Sequence, residues 1–367
     1  MKRAFALAKL GAGRTSPNPM VGALLVREGR IIGEGWHKQY GGIHAEEAAL
    51  LDAKARGESP SGAALYCTLE PCSFEAPDKH RRPCTGLIIE NGVKNVFIAA
   101  LDPNPRVNGG GVRALKNAGI SVETGLLAEA EEELNRGFRT FWRLGRPFVH
   151  IKLASSIDGR IAAASGDSRW ISCETSRKQT HRWRSFYDAV LVGSGCLAAD
   201  DPELSVRLVK RGFKARQPLR VLLDSRLSIK EDAKILGAGE KGGKVIVFCA
   251  HNSDAAKRER LLALGAELVE LERQKNGLPL AEVLKNLAGR GVRSVLVEGG
   301  AAVAGSFLRE ALWDRLSVFF APLILGGHFG AVSGFAPRLV SEGIELGPLV
   351  ARRSGTDILI ECEPRKG

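Results

Sequence analysis

The stretch HAEEAALLDAKARG, residues 44–57, has the pattern of a helix that begins at a histidine and carries a glutamate two residues later. Two Pro-Cys pairs follow: Pro71-Cys72 comes after an apolar segment, and Pro83-Cys84 opens another helical pattern. One histidine and two cysteines can hold a catalytic zinc ion and leave its fourth position for water. Helix N-termini also stabilise thiolates. The sequence therefore predicts a zinc site with the ligands His44, Cys72 and Cys84.

Glu46 is spaced to act on a zinc-bound water without being a ligand. From that position it could take the proton of the water and deliver it to a departing amine. Taken singly, a histidine at a helix start is usually a surface or capping residue, and isolated cysteines are more often buried thiols. The combination with Glu46 favours zinc. His80, between the two cysteines, remains an alternative ligand.

Short apolar runs alternate with helical patterns along the whole chain, which indicates α/β layers. Gly145-Arg146-Pro147 breaks this pattern after a long amphipathic segment, residues 126–145. Because 367 residues exceed the size of one usual core, we predict two domains, residues 1–145 and 146–367. The predicted strands are 20–26, 64–69, 95–101, 148–154, 189–195, 219–225, 244–250 and 294–300, and a loop is predicted at 230–243.

Composition narrows the class of protein. The 53 basic and 41 acidic residues give a net charge of +12, but the excess is dispersed, which favours small phosphorylated ligands over nucleic acid. No apolar run has the length of a membrane span, and no signal peptide is recognisable, so we expect a cytoplasmic protein without a membrane partner. Seven scattered cysteines argue against a disulfide scaffold.

The segment Val297-Glu298-Gly299-Gly300 ends a β-branched strand and opens a helix. Free backbone N–H groups at such a helix start can bind a cofactor phosphate. The pattern is weak by itself, because Gly-Gly strand ends are mostly structural, and the G-x-G-x-x-G fingerprint of dinucleotide-binding folds does not follow any predicted strand.

The His-Ala-Glu and Pro-Cys motifs resemble those of the cytidine-deaminase-like zinc deaminases. The segments TSPNPMVG (15–22), TLEPCS (68–73) and DPNP (102–105) and the eleven residues between the cysteines are similar to the riboflavin-pathway deaminase in particular. This resemblance implies that Asn18 contacts the pyrimidine ring and that Glu46 is the proton shuttle. Residues 74–83 depart from the family pattern, and the cations there that could serve the substrate phosphate instead are Lys79, His80, Arg81 and Arg82.

The second half resembles the riboflavin-pathway reductase, a relative of the dihydrofolate-reductase fold. The motifs that carry this resemblance are KLASSIDGRIA (152–162), SGDSRWIS (165–172), ADDP (199–202), LDSR (223–226) and LGG (325–327). The resemblance implies that Ala154, Trp170, Asp200, Ser225, Gly299 and Gly300 bind NADPH. It implies that Lys152, Ser168, Arg184, Leu204, Arg207 and Glu298 bind the substrate.

Three of these side chains also have a physical interpretation. Arg184 and Arg207 can each fork onto a ribose phosphate, although surface salt bridges are the alternative. Lys152 lies inside an apolar strand, where an unpaired ammonium is costly, so it either faces a ligand or forms a buried ion pair.

Together, the two resemblances identify the chain as a member of the bifunctional riboflavin-biosynthesis deaminase/reductases. They imply an α/β protein with an N-terminal cytidine-deaminase-like α/β/α zinc domain and a C-terminal dihydrofolate-reductase-like α/β domain. The implied reactions are zinc-hydroxide deamination of 2,5-diamino-6-ribosylamino-4(3H)-pyrimidinone 5′-phosphate and NADPH-dependent reduction of its ribosyl group to ribityl, in a homo-oligomer joined through the reductase domains. The alternatives are an active reductase beside a weakened or re-specialised deaminase, a nucleoside or tRNA deaminase, and a protein in which zinc only braces the fold.

Overall fold

The structure, a computed structural model, describes residues 1–74, 82–208, 216–237, 243–251, 254–275 and 277–365. The chain divides into two compact units, residues 1–146 and 147–367. Among the described residues, no helix has the length and apolar character needed to cross a membrane.

The first unit has one mixed sheet with helices packed against it. Its strands are β1 (Gly22–Arg27), β2 (Arg30–Trp36), β3 (Ala64–Cys67), β4 (Asn95–Ile98) and β5 (Ser121–Thr124). Its helices are α1 (Lys2–Ala8), α2 (Ala45–Ala55), α3 (Cys84–Glu90), α4 (Gly110–Asn117), α5 (Ala128–Leu134) and α6 (Arg136–Leu144). The strand order is β2-β1-β3-β4-β5, with β1 antiparallel to β2 and β3, and the remaining pairs parallel.

Small residues let α2 lie directly on β2. A β-carbon at Gly33 would collide with the Ala49 carbonyl, and one at Gly35 with the Ala45 carbonyl. The helix presents Ala45, Ala49 and Ala53 to the sheet, all fully buried. This close approach fixes the N-terminal end of α2, where His44 and Glu46 lie.

The second unit has a nine-stranded sheet. Its strands are β6 (Phe148–Ser156), β7 (Ala189–Gly193), β8 (Leu219–Leu223), β9 (Val245–Ala250), β10 (Ala266–Leu271), β11 (Ser294–Gly299), β12 (Arg315–Ala321), β13 (Val350–Ser354) and β14 (Asp357–Cys362). Its helices are α7 (Glu174–Arg184), α8 (Ser194–Asp200), α9 (Ala255–Ala263), α10 (Leu280–Gly289) and α11 (Ala301–Arg309).

The strand order is β10-β9-β8-β7-β11-β6-β12-β14-β13, and only the pairs made by β14 are antiparallel. The central strand β7 is buried along its whole length, as expected for a parallel strand covered on both faces. Ligands of such sheets bind beyond the carboxyl ends of the strands, which here places the ends of β6, β7 and β11 at the candidate site.

The eight predicted strands are all present, with ends shifted by a few residues, and no α-helix or strand forms in the described part of the predicted loop, residues 230–237 and 243. The amphipathic segment, residues 126–145, forms two helices, α5 and α6, that meet at Asn135.

Candidate functional site

Three metal-binding side chains meet in the first unit. His44 immediately precedes α2, Cys84 is the first residue of α3, and Cys72 lies in the segment after β3. The Nδ1 atom of His44 is 3.2 Å from Sγ of Cys84 and 3.6 Å from Sγ of Cys72, and the three ligand atoms lie within 4.8 Å of one another. Ligand atoms on a tetrahedral zinc ion are about 3.5 Å apart, given Zn–S and Zn–N bonds of roughly 2.3 and 2.0 Å. The donor set and its spacing therefore fit zinc.

The first turn of α3 holds Cys72 in place. The Cys84 N–H points to Sγ of Cys72 at 3.4 Å. The Thr85 N–H donates to the Cys72 carbonyl oxygen at 3.2 Å, and the Thr85 hydroxyl donates to the same oxygen at 3.4 Å. N–H groups at a helix start favour a negative sulfur, so this geometry suits metal-binding thiolates.

Glu46 is buried beside these three residues, with 4% of its surface exposed. Burial raises the pKa of its carboxyl group to about 7, against a lowering contribution from His44. A carboxyl group with a pKa near neutrality can both accept and donate a proton. The position and the protonation chemistry of Glu46 therefore suit the transfer of a proton next to a metal-bound water.

Asn18 is linked to the zinc-binding helix through His37, a residue that the sequence reasoning missed. The Asn18 amide donates to Nε2 of His37 at 3.3 Å, so the proton of this ring lies on Nδ1, which donates to the Ile43 carbonyl at 2.9 Å. Ile43 directly precedes His44, whose ring lies 5.5 Å from that of His37. The only signal in the sequence is a histidine seven residues before His44, which is too common a pattern to single it out.

The predicted phosphate-binding loop falls mostly outside the described residues. Lys79, His80 and Arg81 lie there, so their roles and that of His80 as a zinc ligand stay predictions. Arg82 is described, and its guanidinium pairs with the carboxylate of Glu90 on α3.

The twelve residues predicted for the reductase all line one cavity of about 1350 Å³ in the second unit. They come from the second half of β6, from α7 and α8, from the segments before α7, after α8 and after β8, and from the end of β11. Those predicted for the cofactor are Ala154, Trp170, Asp200, Ser225, Gly299 and Gly300, and those predicted for the substrate are Lys152, Ser168, Arg184, Leu204, Arg207 and Glu298.

The guanidinium group of Arg184 was expected to face a phosphate, but its nitrogen atoms bond to protein groups instead. Its guanidinium meets Glu298 through Nε and Nη2, at 2.5 and 2.8 Å, and its Nη1 donates to the Ser205 carbonyl at 3.0 Å. Because this fork is already engaged, Arg207 is the better candidate for a phosphate contact. The side chain of Arg207 is 54% exposed at the cavity and pairs with Glu203 at 2.6 Å.

Lys152 points into the cavity from the middle of β6. Burial lowers the pKa of its ammonium group and Arg184 lowers it further, while Glu298 raises it. Among the described residues, no hydrogen bond or ion pair to the Lys152 ammonium group is present. The arrangement therefore favours the ligand-facing role over the buried ion pair.

The end of β11 gives the predicted strand-to-helix turn. Gly299 closes the strand with a φ of 114°, a conformation that a side chain would strain, and Gly300 caps α11. Beside them the Ser168 hydroxyl donates to Asp200 at 2.6 Å. Cys196, which the sequence did not single out, also lines the cavity, and burial together with Asp200 raises the pKa of its thiol to about 12.

Two family models match this chain. The model for the cytidine and deoxycytidylate deaminase zinc-binding region matches residues 1–100, and the model for the RibD C-terminal domain matches residues 147–359.

Several characterised relatives match both halves at once. The riboflavin biosynthesis protein RibD of Bacillus amyloliquefaciens is 44% identical over 346 residues, which are 94% of this chain and 88% of the relative. That of Aquifex aeolicus is 39% identical and covers 98% of this chain and 96% of the relative. Among solved structures, the diaminohydroxyphosphoribosylaminopyrimidine deaminase/5-amino-6-(5-phosphoribosylamino)uracil reductase of Thermotoga maritima is similar with a TM-score of 0.86 and 38% identity, over 100% of this chain and 97% of that one. Acinetobacter baumannii RibD gives a TM-score of 0.88 and 35% identity, over 100% and 98%.

Proposed function

The chain belongs to the RibD family of bifunctional riboflavin-biosynthesis deaminase/reductases, and on that premise we propose the substrate and the residues that each unit uses. Family membership confirms the sequence-based expectation of an enzyme with a zinc-dependent deaminase and an NADPH-dependent reductase, acting on small molecules.

In the first unit, His44, Cys72 and Cys84 would hold the zinc ion. Zinc bound there supplies a Lewis acid that lowers the pKa of a water molecule. Glu46, which is buried, accepts a proton and returns it to the departing amine. The amide of Asn18, held by His37, orients the pyrimidine ring.

The proposed substrate of this unit is 2,5-diamino-6-ribosylamino-4(3H)-pyrimidinone 5′-phosphate. Water replaces the amino group on the ring carbon, so a C–O bond forms, the C–N bond breaks, and ammonia leaves. In the second unit, Gly299 and Gly300 would help to hold NADPH, which would supply the hydride that, together with a proton, converts the opened ribose carbon to the ribitylamino product. The protein contributes position and electrostatics to that step, because the cofactor carries the hydride.

The main support for the proposed reductase activity is the cavity of the second unit. Ligand pockets commonly measure about 300–1000 Å³, so a cavity of about 1350 Å³ has room for a dinucleotide and a substrate side by side. The strand end at Gly299 offers backbone N–H groups for the cofactor phosphates, while Arg207 offers a cation for the substrate phosphate.

To test this proposal, ammonia release from the diamino substrate is measured without NADPH. NADPH is then added, and its oxidation is measured. We expect Glu46→Gln to abolish ammonia release and to retain NADPH oxidation on pre-deaminated substrate. Glu28→Gln, an exposed position in the β1–β2 turn, is the matched control and should retain both reactions. NADPH oxidation on pre-deaminated substrate without ammonia release in the unmodified protein would instead support the alternative of a re-specialised deaminase.

We also propose a cytoplasmic homo-oligomer joined through the reductase units, as the family resemblance implies. The outer edge strand β13 supports this, because four of its five residues are exposed. Light scattering of the purified chain at several concentrations tests the oligomer, and a stable monomer at high concentration would refute it. Fractionation of cells that express the chain tests the location.

A further inference from the structure

The helix pair α5–α6 lies between the two regions that the family models match, residues 1–100 and 147–359. It nevertheless carries a row of buried polar side chains, spaced four residues apart on one face. Glu131, Asn135 and Arg139 are exposed by only 0%, 4% and 5%. Buried polar groups are costly unless they are paired, so the contacts of this row show what the helix pair holds.

Asn135 binds both main-chain polar groups of Met20, a residue in the segment before β1. Its Oδ1 accepts a hydrogen bond from the Met20 N–H at 2.7 Å, and its Nδ2 donates to the Met20 carbonyl at 3.0 Å. Met20 is two residues beyond Asn18. Asn135 therefore restrains the backbone that carries the proposed pyrimidine contact.

The neighbours of Asn135 fix the orientation of its amide. The amide cannot be reversed, because the Met20 N–H can only donate and the Met20 carbonyl can only accept, and Glu131 also accepts from Nδ2 at 2.8 Å. Arg139 pairs with Glu131 and balances its charge. The same guanidinium donates to the Leu101 carbonyl at 3.0 Å, so the row also anchors the chain beyond β4.

We propose that Asn135 is a positioning residue of the deaminase, which holds Met20 so that the Asn18 amide meets the pyrimidine ring. The helix pair is then part of the deaminase and not a spacer between two enzymes. This inference rests on the proposed role of Asn18.

The test is a double-mutant cycle on the full-length, zinc-loaded enzyme. Asn135→Asp keeps the acceptor for the Met20 N–H and loses the donor to the Met20 carbonyl, while Asn135→Ala loses both. We expect the kcat/KM of deamination to fall by about 10- to 100-fold, as for other displaced contact groups. Zinc content and reductase kcat/KM should not change. If Asn135 acts through Asn18, the double variant Asn18→Ala/Asn135→Asp should lose no more activity than Asn18→Ala alone.

Each other outcome has a separate meaning. Losses that multiply in the double variant, loss of zinc with activity in both Asn135 variants, or unchanged deamination in both would overturn the positioning role. Full activity in Asn18→Ala would refute the proposed role of Asn18 instead. Asn91→Asp is the matched control, because the Asn91 amide also donates to a main-chain carbonyl in this unit, that of Leu87 at 2.7 Å. It should deaminate normally.

Discussion

Arg184 and Glu298 are separated by 114 residues and meet on the wall of the reductase cavity through two hydrogen bonds. Both side chains are nearly buried, at 10% and 7% exposure. Burial alone would raise the pKa of Glu298. The positive charges of Arg184 and Lys152 lower it by more than burial raises it, so the pKa lies below its ordinary value. The pair forms part of the cavity wall, and each charge has an opposite charge beside it.

The first prediction concerns the removal of one partner of this pair. Arg184→Met should lower the free energy of unfolding by about 3 to 5 kcal/mol, because it leaves the buried Glu298 carboxylate without its hydrogen-bonded charge partner. The double variant Arg184→Met/Glu298→Leu should recover most of that loss and still fail to oxidise NADPH. Urea unfolding and a reductase assay measure both effects. Equal stability of the single and double variants would contradict the prediction.

The parts of this protein that local sequence determines were predictable. The residues predicted to bind zinc, together with Glu46, lie at helix starts and strand ends whose signals span only a few residues, such as His44 before α2 and Cys84 at the start of α3. The central strands of the second unit are also recognisable, because burial on both faces makes β7 and β9 continuous apolar runs.

Features that depend on contacts between residues far apart in the chain could not be predicted from the sequence. Arg184 was expected to fork onto a phosphate, and only the folded chain brings Glu298 to it. Asn135 lies where the amphipathic segment divides into two helices, and its side chain bonds to Met20, 115 residues away. The edge strand β2 contains Gly33 and Gly35, which weaken its strand pattern in the sequence. Only the structure shows that these glycines let α2 pack closely against the strand.

The second prediction separates the two activities by metal removal. Cys84→Ser should lose zinc, because a hydroxyl is a much weaker zinc ligand than a thiolate, and deamination should disappear with it. Reduction of pre-deaminated substrate should continue, because the reductase cavity lies in the other unit. Metal analysis and the two assays check this. Cys249→Ala, a buried cysteine in β9, is the control and should keep zinc and both activities.

The third prediction distinguishes the two interpretations of Lys152. If the ammonium group serves a ligand, Lys152→Met should abolish most reductase activity without lowering the free energy of unfolding, since it removes a buried charge that has no ion-pair partner among the described residues. A structural ion pair would give the opposite result, a loss of several kcal/mol. Two measurements distinguish the two interpretations: urea unfolding in the absence of ligand, and the rate of NADPH oxidation. Deamination by the first unit is the internal control.

The last prediction concerns His181, which lies in the cavity wall next to Arg184, Glu298 and Arg207. Burial lowers the pKa of its ring to about 4, and Arg184 lowers it further. The ring is neutral in this setting, since its Nδ1 accepts from the Arg207 N–H at 3.2 Å.

Because the unfolded ring has a pKa of about 6.5, the unfolded state binds the proton first as the pH falls. The contribution of His181 to stability is therefore complete above pH 6.5 and is lost as the pH falls toward 4. In that window the free energy of unfolding of the second unit should decrease by up to about 1.4 kcal/mol per pH unit for this one group. His181→Gln should remove that slope, whereas His328→Gln, at an exposed histidine of the same unit, should keep it. Urea unfolding between pH 4.5 and 7 measures the slopes, and identical slopes in the two variants would show that His181 does not titrate with folding.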